Sequence, residues 1–366
     1  MQWNASAEEL ARQLAEDDHL DWGSVRQLVY AEDLAPLVYQ LTRARGIIPP
    51  DLDRDLAMTY YATAALNALR LTDLEQVLGL MTSAGVCVAL LKGAALIETV
   101  YGNAAVRPME DVDLLVRQES LPAAVEVLSG FCGVPPSSAG PIDAFVERDR
   151  EVTFQKAGES NTLFDLHWQV LDSPYYPHML FTNWIWESAI PLRVGSTAAM
   201  SPSPEAMLLH LCGHNLIDAG RKELLWLYDI ACLISKCSTL DWDLLADKAR
   251  LYGLVLPVQH AVSRIGGVWK NLIPLPAAEQ VGTLAASRAE KAFYDWAASA
   301  DRAEVRLVRV NLNSLPSWPE RLRYMGGSIF PPLSYMRHRY KIRNPLWVWL
   351  TYPYRWLLSL YRAVLH

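Results

Sequence analysis

The stretch Ala89–Val116, ALLKGAALIETVYGNAAVRPMEDVDLLV, decides how the rest of the chain is read. An apolar run ends at Lys92-Gly93, a short helix-forming segment follows, a loop carries Arg107, and DVDLLV brings Asp111 and Asp113. The pattern predicts strand, glycine turn, helix, loop and strand. Side chains alternate across a strand at about 3.3 Å per residue, so Asp111 and Asp113 share a face with Cα atoms roughly 6–7 Å apart. Two carboxylates so placed repel unless a cation sits between them. A hard divalent ion with oxygen ligands, most simply Mg²⁺, answers that need. The glycine turn feeding a helix N-terminus offers exposed N–H groups and a positive dipole end, the other half of a phosphate site. Turn and acid pair together point to chemistry on a metal-bound nucleoside triphosphate.

The 366 residues are enough for two or three domains. With 51% hydrophobic and 20% charged residues the chain can bury substantial cores and is not disordered. A net charge of −7 argues against a general polyanion binder. The charge is uneven: residues 301–366 hold 11 Lys and Arg against 3 Asp and Glu, a balance of +8, while the remainder holds 22 against 37, a balance of −15. That basic arm is an interaction candidate. Cys87, Cys132, Cys212, Cys232 and Cys237 form no CxxC pair. A low, odd count fits buried thiols in a reducing cytoplasm better than a disulfide frame or a zinc site. The acidic, helix-like start MQWNASAEEL does not read as a signal peptide. No run of about 18 apolar residues reads as a membrane span. A cytoplasmic location is therefore expected.

Four regions follow from the pattern. Residues 1–85 read as a helical N-terminal region, closed by Gly85 after a long Ala/Leu-rich stretch. Residues 86–195 read as an α/β core: VCVALL and DVDLLV as strands, SLPAAVEVLSGF as a helix, and VTFQKAGESNTLFDLHWQV as a hairpin around a Gly-Glu-Ser-Asn turn. Residues 196–300 return to helical spacing, and residues 301–366 form a basic segment rich in Pro, Arg and aromatics. The fold class expected is α+β, a small mixed sheet with helices, flanked by helical regions.

The pattern LKGxAL…YGNxAxRPMxDVDLLV, followed about 50 residues later by FDLHW, resembles the uncharacterised nucleotidyltransferase family of the DNA-polymerase-β-like superfamily. LLHLCGHN near residue 210 and RKELLWLYDIACLI after it fit the same resemblance, which covers roughly residues 60–350. The resemblance implies a polymerase-β-like core with two metal-binding acids on one strand and a third on a neighbouring strand. Asp111 and Asp113 match the first two, and Asp165 of FDLHW is the natural third. It implies two Mg²⁺ ions (Mn²⁺ as a substitute) at Asp111, Asp113 and Asp165, which would also be the catalytic residues. Nucleotide contacts would come from Lys92, Gly93, Ala94, Arg107 and His167. The chain departs from many superfamily members at Gly93-Ala94, where a Gly-Ser pair is common. The missing hydroxyl removes one phosphate hydrogen bond, for which Lys92 is the candidate replacement.

Each residue also has a structural alternative. His167 faces the same side as Asp165 and is equally suited to substrate contact or to packing behind the acids. Arg107 can reach phosphate oxygens or brace the acid strand, or pair with Glu110 or Asp111. His210 and His214, four apart on a helix, lack the Glu of an HExxH metal motif, and helix packing or nucleotide contact suits them better. Arg221, Lys222 and Asp229 suit helix-surface ion pairs, with a reach into the cleft as the alternative. Trp226 and Tyr228 suit the core. The basic arm has three readings: an anionic membrane surface, a peptide or nucleic-acid partner, or packing back over the helical domain with arginines snorkelling outward.

The function expected is transfer of an NMP, AMP by the abundance of ATP, from an NTP to a hydroxyl acceptor with release of pyrophosphate. Small molecule, peptide, protein side chain and RNA end are the acceptor classes. Two alternatives use the same residues: phosphoryl transfer by attack at the γ-phosphorus, and a degenerate nucleotide-binding or scaffolding module.

Overall fold

A computed structural model describes residues 5–17, 19–133, 150–171, 180–218, 222–299 and, towards the C-terminus, 308, 310–312, 315, 317–331, 333, 336–337, 340, 342 and 344–365. Four helices come first: α1 (Ala5–Ala15), α2 (Trp22–Ala31), α3 (Ala35–Thr42) and α4 (Pro50–Ser83). The Asp21 carboxylate caps α2 by accepting from the N–H groups of Gly23 and Ser24. Helix α4 starts at Pro50, whose fixed φ suits the first helical position. It runs 34 residues, about 50 Å, and gives way to Gly85 at φ +72°, which an L side chain resists.

Six strands form one sheet: β1 (Val88–Leu90), β2 (Asp111–Val116), β3 (Glu151–Gln155), β4 (Leu163–His167), β5 (Ile190–Val194) and β6 (Thr197–Ser201), in the order β3-β4-β2-β1-β6-β5. β2 is antiparallel to β1 and parallel to β4, β3 is antiparallel to β4, and β6 is parallel to β1. The chain is thus α+β with a mixed sheet. The DVDLLV strand and the β3–β4 hairpin lie where the alternation places them. The β5–β6 hairpin has no counterpart among the strands expected from sequence. Its turn is made by Gly195 at φ +54°, and β6 carries the sheet past residue 195 by pairing with β1.

The pleat divides the central strands into two faces. Val112, Leu114, Val116, Val152, Phe154, Phe164 and Leu166 are all buried on one side. Helix α6 (Leu121–Cys132) meets that side, with Phe131 edge-on to Phe164 at 6.0 Å. Each fully buried side chain of this layer contributes about 1.5–3 kcal/mol. The hairpin is tied to α4 by Asp73, a buried carboxylate that pairs with Lys156 and accepts from Ser160 and Thr162. The other face carries Asp111, Asp113, Glu151, Thr153, Asp165 and His167.

Between β1 and β2 runs α5 (Lys92–Leu96), which widens into a π turn over Ile97–Tyr101 and stops at Gly102. After the hairpin come α7 (Leu180–Glu187), α8 (Pro204–Asp218), α9 (Glu223–Lys236), α10 (Trp242–Tyr252), α11 (Val255–Val268), α12 (Leu275–Gly282) and α13 (Arg288–Ala297). Residues of α8 to α13 share one continuous core with the sheet. Near the C-terminus, α14 (Trp318–Ile329) opens on a Ser317/Glu320 capping box, a 3₁₀ turn covers Pro345–Leu350, and α15 (Thr351–Leu365) follows. Met336, Val348 and Tyr352, with Tyr340 and Ile342 against them, form a small cluster separate from the main core. Among the described residues no helix is long and apolar enough to cross a membrane.

Candidate active site

The parallel register of β2 and β4 sets Asp165 beside Asp113, and Asp111 lies two residues earlier on the same face. The three acids of the sequence reading are brought to one side of the sheet. Their surroundings differ. Asp113 is 2% exposed, and its Oδ1 accepts from Lys92 Nζ at 2.7 Å and lies 2.9 Å from His167 Nε2. Burial alone would raise its pKa, but the Lys92 charge and the His167 contact hold it well below the usual carboxylate range. His167 Nδ1 in turn lies 3.0 Å from Glu151 Oε2. Burial opposes an imidazolium there, yet a carboxylate on each ring nitrogen pushes His167 up to about 9. Lys92 sits at φ +41°, a backbone conformation that a lysine adopts at a cost of order 1–3 kcal/mol. At this position the ammonium is delivered to Asp113.

The Asp111 carboxylate accepts no hydrogen bond among the described residues. Burial first, then the charge of Asp113 and that of Asp165, push it up to about 6. Asp165 is raised by burial and by Asp113, against a 2.6 Å hydrogen bond from Thr153 to its Oδ1. The face therefore carries carboxylates in excess of its cations.

Arg107 is placed differently from the phosphate contact expected of it. Its guanidinium is buried and pairs with Asp229 on α9, Nη2 to Oδ2 at 2.9 Å and Nε to Oδ1 at 3.4 Å. Tyr101 donates to the same carboxylate at 2.5 Å. Asp229 is fully buried, which corrects the surface ion pair expected for it. Lys222 does make surface pairs, at 2.5 Å to Asp33 and 2.7 Å to Glu110, whereas Arg221 lies outside the described residues. The Arg107 guanidinium also lies under the glycine turn: a Cβ on Gly93 would come within 3.1 Å of Arg107 Nη1 and 3.0 Å of Met109 Cγ. A side chain at position 93 would therefore crowd both. Its neighbour Ala94 is buried.

His210 on α8 is 1% exposed, neither ring nitrogen has a hydrogen-bond partner among the described residues, and burial drives its pKa well below the usual value. It is close enough to Lys92, Asp113 and His167 to feel their charges. His214 stacks on the buried Trp226 at 4.8 Å. Sequence reasoning did not single out Glu151, Thr153 or Arg70. Alternation along EVTFQ puts 151 and 153 on one face, which was a usable signal. Arg70 of α4 donates to the Met109 carbonyl and lies within range of Asp111, with no local motif to mark it.

A family model described as uncharacterised nucleotidyltransferase matches residues 18–265. The chain belongs to this family. It is accordingly an enzyme of the transferase class, a nucleotidyltransferase. No curated protein matches it. Among solved structures, the antibiotic-resistance factor ANT(2'')-Ia is 12% identical over 55% of this chain and 96% of its own, at a TM-score of 0.33. An antigenic nucleotidyltransferase-like protein from Paracoccidioides brasiliensis is 15% identical over 59% of this chain and 92% of its own, also at 0.33.

The acid face fits a divalent cation by its donor chemistry. Its oxygens are hard ligands, and Asp111, raised by burial first and then by the charges of Asp113 and Asp165, carries a charge that such an ion offsets. The carboxylates are not gathered around a common point: among the described residues no three His, Cys, Asp or Glu side chains form a ready metal cage. Asp113 Oδ1 is instead taken by Lys92 and His167.

Proposed function

We propose that this nucleotidyltransferase moves an NMP, AMP from ATP first, onto a hydroxyl acceptor and releases pyrophosphate, drawing on the cytoplasmic nucleotide pool. Asp111, Asp113 and Asp165 would hold Mg²⁺, which when bound neutralises triphosphate charge and acidifies the acceptor hydroxyl. The chain's own groups divide the remaining work. Asp165, whose pKa is raised by burial and by Asp113, takes the acceptor proton. Lys92 and His167 keep Asp113 ionised, and Glu151 fixes the imidazole. Gly93 and Ala94 present only backbone to the triphosphate. Arg107, held by Asp229, supports that turn from beneath and acts as a positioning residue.

One observation carries this proposal: Asp165 pairs in register with Asp113 on the face that also holds Asp111. The experiment supplies the protein and Mg²⁺ with α-labelled or γ-labelled NTPs and a cell extract. Label from the α-position in an acceptor, with equimolar pyrophosphate, is the expected result, and it is lost in Asp111→Ala/Asp113→Ala. Acceptor labelled only from the γ-position would replace nucleotidyl transfer with phosphoryl transfer. Equal nucleotide binding by wild type and double variant, with no pyrophosphate from either, would make the site a binding module.

A further inference from the structure

The C-terminal segment turns much of its apolar surface outwards. Trp347, Trp349 and Leu350 of the 3₁₀ turn are about 60% exposed, and Tyr354 and Leu357 of α15 are 57% and 67% exposed. Leu350, Tyr354 and Leu357 follow one another at four and three residues, the spacing of a single helix stripe. The opposite side is satisfied by its own cluster, where Val348 and Tyr352 pack with Met336 and are buried. The outward stripe is therefore surplus to folding the segment.

Charge selects what meets it. After Glu320 the sequence contains no acidic residue and 8 Lys and Arg, in a chain whose net charge is −7. Trp and Tyr flanked by Leu and Arg suit the boundary between lipid headgroups and acyl chains, where an amphipathic helix lies in the plane of the surface. A helix of 15 residues is too short to span a bilayer, which takes about 20. Aliphatic side chains in the stripe favour lipid over nucleic acid, which rewards aromatic stacking and phosphate contacts but not Leu350 or Leu357.

We propose that the Trp347–Leu357 face docks the enzyme on an anionic membrane surface. The full-length protein is mixed with phosphatidylcholine vesicles with or without 30% phosphatidylglycerol, and binding is read by flotation and by Trp fluorescence. Expected is binding to the anionic vesicles, at least tenfold weaker on neutral ones and weakened again in 0.5 M salt, where the Debye length falls below about 5 Å. Trp349→Ser/Leu357→Ser should lower the partition about tenfold or more. Both side chains face solvent, so an unchanged circular dichroism melt serves as the folding control. Pyrophosphate release in solution should be unaffected, because neither residue belongs to the acid face, and this docking can fail while nucleotidyl transfer stands. No binding to either vesicle, equal binding to both, or an unaffected double variant overturns the proposal. So does tight tRNA binding without vesicle binding, which would reassign the face to nucleic acid.

Discussion

Replacing Asp111 by Asn should stabilise the metal-free protein while abolishing its chemistry. Asp111 starts a strand, its carboxylate accepts no hydrogen bond among the described residues, and it faces two further carboxylates. Its pKa is raised from 3.8 to about 6 by burial and then by Asp113 and Asp165. Below about pH 3.8 both folded and unfolded chains hold the proton, and the group contributes nothing. Between 3.8 and 6 the unfolded chain has lost the proton while the folded chain keeps it, so stability falls as pH rises. Above 6 the penalty is complete, and about 1.4 kcal/mol for each pH unit of that window makes it ~3 kcal/mol. Urea unfolding of wild type and Asp111→Asn at pH 7.5 and pH 4, in EDTA, should show a gain of ~2–3 kcal/mol at pH 7.5 that disappears at pH 4. Adding Mg²⁺ should then stabilise the wild type, by about 2.7 kcal/mol at a hundred times its Kd, and leave the variant unmoved. A variant no more stable than wild type at pH 7.5, or a gain equal at both pH values, would refute the penalty assigned to the ionised Asp111. Equal Mg²⁺ stabilisation of both would remove Asp111 from the ligand set.

The buried pair behind the site should behave asymmetrically. Asp229→Ala leaves Arg107 as a buried charge without its counter-ion and should cost about 3–5 kcal/mol in urea unfolding, whereas Arg107→Met/Asp229→Leu should recover at least half of that; a double variant as unstable as the single would show that the pair is not coupled. Gly93→Ala puts a methyl 3.0 Å from Met109 Cγ and 3.1 Å from Arg107 Nη1. It should cost about 1–3 kcal/mol and raise the KM for NTP, and an unchanged melt with unchanged KM would refute the crowding. His210 is neutral in the folded chain because burial depresses its pKa, while the unfolded chain gains a proton as pH falls through about 6.5. It should therefore withdraw up to about 1.4 kcal/mol of stability per pH unit below 6.5. His210→Leu should flatten the unfolding-versus-pH curve between pH 6.5 and 5, and parallel curves would exclude His210 as its source.

Local pattern carried the strands of the acid face. Alternation in DVDLLV and LFDLH marks which side chains share a face, because a strand's period of two is written in consecutive residues. The lysine, glycine turn and acid pair were legible for the same reason, as was the long helix α4 with its proline start and glycine stop. The β5–β6 hairpin was legible in principle, through alternation about Gly195, but its segment is short and partly exposed, so the apolar signal is faint.

Whom a charged group pairs with was decided by tertiary structure. Arg107 lies four residues from Asp111, yet it binds Asp229, 122 positions away. Burial makes an unpaired guanidinium costly, and the helix that supplies its partner follows the last strand in the chain. Lys92 and His167 look like candidates for substrate, and folding places both on Asp113, where their charges offset the burial of its carboxylate. The sequence by itself determined the residue types, their strands and their faces, because those depend on local spacing. Packing alone decided which of the three acids is neutralised and which is left raised, because electrostatic energy depends on distances that no spacing along the chain specifies.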